Sequence, residues 1–291
     1  MKRDPVEEHK HTATVEGVLA QLEGDYFYDY AAFTGSLREY VVRALEARYK
    51  SEPNELHKRA FLLNVYREEY TAYEDLGAFM DAFLSIKGDP TILPLHRMIS
   101  YGAGQVKLGS VLERHQIDTG DDLYNGLGLA EWMPASWSEH HPKIDLQKVL
   151  RRACYFLVED CWPGQRATGV RAFNKIKHGL VLVPDGRPYA SKLPSAPAII
   201  FATHPKDPAS KETPVSILAI PTEPEKVEER LRIVHFTQFM LRMFAMLYVL
   251  KRYPAAIGGR GLKADASVFG SERMVDVLEF MRNSSETPWS K

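Results

Sequence analysis

From Leu56 to Phe83, apolar or small residues recur at three-four spacing: Leu56, Ala60, Leu63, Tyr66, Tyr70, Tyr73, Gly77, Met80 and Phe83. Side chains three and four apart share one side of a helix. The run therefore predicts one amphipathic helix of some 28 residues with a broad buried stripe. Its tyrosines read as core residues with hydroxyls at the rim. A second long helix is expected after Thr222-Glu223-Pro224-Glu225, which reads as a capping box, with Lys251 and Arg252 in the last turn. From Phe239 onward that helix is apolar nearly all round, so it belongs at the centre of a helical bundle.

The remaining pattern is also mainly helical. Residues 1–14 read as a loose tail. An aromatic-rich stretch runs from Val15 to Tyr49, with Gly24 and Gly35 as expected breaks, and Ser51 followed by Pro53 opens the long helix. After a turn at Lys87–Pro90, Thr91–Gln116 predicts a weaker helix or a pair of helices. Asp118–Pro142 has the composition of a long loop. Asp145–Trp162 is a helix with Leu146, Val149, Leu150, Ala153, Phe156 and Leu157 facing inward. Pro163-Gly164 ends it, a basic helix follows over Gln165–His178, and Gly179 stands where a C-terminal cap belongs. Three β-like runs come next, at Leu180–Val183, Ala198–Ala202 and Val215–Ile220. Gly258–Gly261 is a loop, which follows no strand and lacks the Lys-Ser/Thr of a phosphate loop, and Ser271–Arg282 a last helix. The expected fold is mainly α: a single helical domain over 15–291, with a small antiparallel β-meander inserted at about 180–221 before the central helix.

Charge is uneven along the chain. The whole sequence carries −1, yet Lys143–Lys192 carries +6, leaving −7 for the rest. Such an island attracts anionic ligands. Cys154 and Cys161, the only two cysteines, lie seven apart in a predicted helix. At roughly 10 Å along the axis they are too distant for a disulfide and read as buried thiols in a reducing compartment. The opening MKRDPVEEHKHT has no apolar stretch of a signal peptide. Phe236–Leu250 is about fifteen residues, interrupted by Gln238 and Arg242, and short of the roughly 20 a membrane span needs. A cytoplasmic protein without a membrane partner is expected. His140 and His141 are adjacent and diverge, and no Cys/His/Asp cluster has ligand spacing, so neither metal nor cofactor is expected.

The most compact chemistry lies in Val170–Gly186, VRAFNKIKHGLVLVPDG. Helical spacing puts Arg171, Asn174, Lys175 and His178 on one face. An Arg-x(4–6)-His spacing also occurs at Arg3/His9 and Arg230/His235, but only Arg171/His178 has basic surroundings and an amide between its members. Over roughly Asp145–Gly179 the chain resembles the HEPN-type helical superfamily, many of whose members are metal-independent ribonucleases, toxins or antiphage factors. The resemblance implies a homodimer that brings two such motifs together. It implies that Arg171 holds the scissile phosphate of RNA and that His178 is the general acid/base at the 2′-hydroxyl, with Asn174 between them. Lys175, Lys177, Arg166 and Arg152 would bind further phosphates. Arginine offers a permanently charged, bidentate phosphate contact, and histidine moves a proton near neutral pH. Two other functions fit the same residues: a non-catalytic helical scaffold that binds another protein, and a binder of a small anionic ligand. In both, the last-turn cations also serve the carbonyl end of their helix.

Overall fold

The computed structural model describes residues 22–28, 30, 37–86, 93–99, 108–132, 145–161, 173, 176–178, 180–181, 197–202, 215–221 and 223–253. They are mostly helical, with one small antiparallel sheet. A helical segment over 22–28 (α1) precedes α2 (Leu37–Ser51) and α3 (Glu55–Ser85). Shorter helices follow: α4 (Pro94–Ile99), α5 (Leu108–Arg114), α6 (Gly120–Gly126) and α7 (Leu146–Tyr155). Strands β1 (Ala198–Ala202) and β2 (Val215–Ala219) then lead to α8 (Pro224–Arg252).

Helices α3 and α8 form the heart of the molecule. The stripe read from the sequence is buried from Leu63 to Phe83, whereas Leu56 and Ala60 at its start are exposed. The helix does not open on Pro53. Asn54 is its N-cap, accepting at Oδ1 from the backbone N–H of Leu56 (2.9 Å) and His57 (3.2 Å). At α8, Thr222 of the expected capping box lies outside the described residues; the N-cap is Glu223, which makes no side-chain cap bond, while Pro224 sits in the first turn. Proline's fixed φ favours that position, and its missing N–H is one that a helix start leaves unpaired. From Phe236 to Val249 nearly every side chain of α8 is buried, against Phe79, Met80 and Phe83 of α3 among others. The helix is long and apolar enough to cross a membrane, yet 78% of its most apolar window is buried inside the fold.

Two further sequence expectations are corrected. Gly24 does not break a helix but lies within α1, where a Cβ would stand 3.3 Å from the Tyr253 ring. Close helix approach, not chain reversal, is what this glycine serves. The start of the expected 118–142 loop is helical. Thr119 and Asp122 form a reciprocal capping box that starts α6, and a 3₁₀ turn follows at Leu129–Trp132. Helix α6 lies against α7 so tightly that a Cβ on Gly120 would sit 2.4 Å from the Tyr155 backbone. Beyond Tyr155 the chain widens into a π-helical turn, Phe156–Cys161, from which Glu159 accepts the Gly120 N–H at 3.2 Å. The inward residues of α7 are buried as expected, except that Val149 is half-buried. Cys154 is fully buried and burial pushes its thiol pKa up, so it is no reactive group.

The β element reduces, among the described residues, to one pair in register from Ala198↔Ala219 to Ala202↔Val215. Leu180 and Val181 are not in a strand. Gly35, the Lys87–Pro90 turn, His140, His141, Gly179, the 258–261 loop and the 271–282 helix lie outside the described residues.

Candidate functional site

The tyrosines of α3 carry more than core packing. Tyr66 and Tyr70, one turn apart, stack at 5.1 Å between ring centroids, and Tyr70 stacks in turn on Phe173 at 5.5 Å with the rings 17° apart. Offset-stacked rings gain roughly 0.5–1.5 kcal/mol beyond their burial. Leu63, Ile199 and Ile220 complete this cluster, with Ile176 and Val181 packed against it, so the β pair and Phe173 share one footing on α3.

At the inner end of the stack lies a charge. The Arg230 guanidinium of α8 stands 4.2 Å from the Tyr66 ring centroid and pairs with the fully buried Glu69. Burial pushes the Glu69 carboxyl pKa up, and Arg230 opposes that rise. The Tyr66 and Tyr70 hydroxyls are likewise pushed up by burial, so both stay neutral donors. The arginine of the alternative Arg230/His235 spacing is thus already engaged by a carboxylate and a ring.

At the outer end the chain turns to solvent. Phe173 is 3% exposed and helical, and Ile176 is half-buried beside it. Lys177, four residues on, places Nζ 5.7 Å from the Phe173 ring centroid; both it and His178 are exposed. Helical spacing accounts for the arrangement, since 173 and 176 fall on one side and 178 on another. Of the other candidates, Arg152 is half-buried on α7. Arg166, Arg171, Asn174 and Lys175 lie outside the described residues.

Sequence reading missed the anchor. The three-four tyrosine spacing flagged the buried face of α3 but not its partner, which lies about a hundred residues away at Phe173. Glu69 beside a buried stripe was a signal that a cation must come from elsewhere. Among the described residues no three metal-ligating side chains gather. No family model, no curated protein and no solved structure matches the chain.

Proposed function

We propose that the protein acts on RNA as a metal-independent ribonuclease or RNA-binding protein, through the surface that ends at His178. The observation that carries this reading is the division of labour along 173–178. Phe173 is locked into the aromatic stack, while Lys177 and His178 on the following turn are exposed. A rigid base under a solvent-facing cation and imidazole is what a phosphodiester reaction without metal requires, because positioning and proton transfer must both come from side chains. In this reading His178 takes the proton of the 2′-hydroxyl and Arg171 neutralises the phosphate. Asn174 supports them, and Lys175, Lys177, Arg166 and Arg152 hold flanking phosphates. A homodimer would set two such surfaces side by side.

The test is cleavage of a labelled RNA in EDTA by the full chain, His178→Ala and Lys177→Ala. The expected result is cleavage by the wild type, loss of 100-fold or more in His178→Ala, and weaker, more salt-sensitive RNA binding in Lys177→Ala. Both positions are exposed, so unfolding does not confuse the outcome. A wild type that neither cleaves nor retains RNA at low salt defeats the proposal.

A further inference from the structure

Away from that surface, the turn joining α2 to α3 holds an open cleft of about 280 Å³, lined by Arg48, Glu52, His57, Ala60, Phe61 and Asn64. The volume is near the lower end for small-molecule sites. On α3 the lining residues follow the helical repeat: His57, Phe61 and Asn64 are spaced i, i+4, i+7 on one side. At about 100° per residue, that side is turned roughly 180° from Tyr66 and Tyr70. The cleft and the His178 surface therefore use opposite faces of the same helix.

Its polar groups are organised by a carboxylate. Glu52 is 8% exposed, sits between the two helices and accepts the Asn54 N–H at 3.1 Å. One oxygen faces His57 Nδ1 at 3.5 Å, and the other faces Arg48 Nη2 at 3.8 Å. Both separations are long for hydrogen bonds, and one Nη of Arg48 and the Nδ1 edge of His57 are the groups turned to Glu52. Arg48 and His57 are themselves about two-thirds exposed. With Nδ1 turned to the carboxylate, Nε2 is the ring nitrogen left for a ligand. The Asn64 amide donates one hydrogen to the Ala60 carbonyl at 3.4 Å and keeps the other. Ala60 and Phe61 supply an apolar wall.

We infer that this cleft binds a phosphate monoester carried on an apolar or aromatic body. The Arg48 fork takes the phosphate, His57 Nε2 makes the second contact, and Phe61 packs on the organic part. The phosphate suits these partners better than a carboxylate does. A guanidinium binds either bidentately, but imidazole donates to a phosphate oxygen when protonated and accepts the P–OH of the monoanion when neutral. A carboxylate offers only the first contact.

The experiment is calorimetric titration of the full chain with phenyl phosphate, benzoate and inorganic phosphate, repeated with Arg48→Ala, His57→Ala, Phe61→Ala and Lys50→Ala. Lys50 is exposed on the same turn of α2, pairs with Glu46 and does not line the cleft. Phenyl phosphate is expected to bind at least fivefold more tightly than benzoate or inorganic phosphate. Arg48→Ala should weaken it tenfold or more and His57→Ala several-fold. Phe61→Ala should remove the advantage over inorganic phosphate, and Lys50→Ala should leave binding unchanged. Equal losses in Lys50→Ala and Arg48→Ala, or no binding at millimolar phenyl phosphate, overturn the inference. His178→Ala separates the two sites: it should leave phenyl phosphate binding intact whatever it does to RNA.

Discussion

Helix α8 meets a buried carboxylate near each of its ends and solves the same problem in two ways. Near its start, Glu69 of α3 is fully buried and paired with Arg230. At its end, Glu23 of α1 is equally buried but faces neutral donors: the Leu95 N–H at 2.8 Å and the hydroxyls of Tyr248 and Tyr253 at 2.5 and 2.8 Å. An ion pair answers the buried carboxylate with a charge. A ring of neutral donors spreads the compensation over α1, α4 and α8, so it ties three elements together. The first arrangement should fail abruptly when one residue changes, and the second by degrees.

The largest effect is expected from Arg230→Met. It removes the guanidinium that pairs with Glu69 and stands over the Tyr66 ring. Breaking a buried pair from one side costs about 3–5 kcal/mol, read as the loss in urea unfolding free energy at neutral pH. The loss should shrink as pH falls. Burial already raises the Glu69 carboxyl above its ordinary value, and without Arg230 it rises further. The folded state then binds a proton that the unfolded state lacks, and stability returns as pH drops toward the unfolded carboxyl range. Adding Glu69→Leu should recover most of the loss. If Arg230→Met costs less than about 1 kcal/mol, well below the usual loss for such pairs, the contrast between the two ends disappears.

These two ends also mark what the sequence discloses. Helix α3 announces itself because a 3.6-residue period sustained over seven or more turns fits neither a strand nor a loop, and α8 because its apolar run of about fifteen residues is too long for a strand. Helix α6 does not, since seven residues are too few for a period and its start depends on the Thr119/Asp122 cap. Gly24 misleads for a different reason: its role is a close approach to Tyr253, which no local pattern encodes. The candidate site divides the same way. The exposure of Lys177 and His178 is legible from helical spacing, and so is the buried tyrosine face. The Phe173–Tyr70 contact and the Arg230–Glu69 pair, 161 residues apart, arise only when the chain closes on itself. The Glu52 cleft gave no linear signal, because Arg48, Glu52 and His57 belong to two helices and the turn between them.

At the other end, Glu23→Leu removes the shared acceptor from three donors. A stranded buried donor costs about 1–3 kcal/mol, but Tyr253 is only half-buried and can turn its hydroxyl to water, which brings the expected total to about 2–4 kcal/mol. Hydrogen exchange should rise at Leu95 and through α1 before it rises at α3. Simultaneous loss across all three helices would mean that Glu23 is no separate tie but part of one cooperative core.

The mildest change, Tyr253→Phe, sharpens the comparison most. It deletes one donor of the three and should cost only about 1 kcal/mol at neutral pH. Its distinctive effect is alkaline. Burial, and then the bond to the Glu23 carboxylate, push the Tyr253 phenol up to about 12 from its ordinary value near 10. Between those pH values the unfolded chain has released this proton and the folded protein still holds it, so the stabilisation present below pH 10 drains away as pH rises to 12. Phenylalanine has no proton to lose, and unfolding of the variant followed from pH 9 to 12 should show a shallower decline. The slope will not vanish, because Tyr248 is raised by the same burial and the same carboxylate and remains in place. An unchanged slope would mean that Tyr253 is not held by Glu23, leaving that end of α8 with one hydroxyl and one amide against a buried charge.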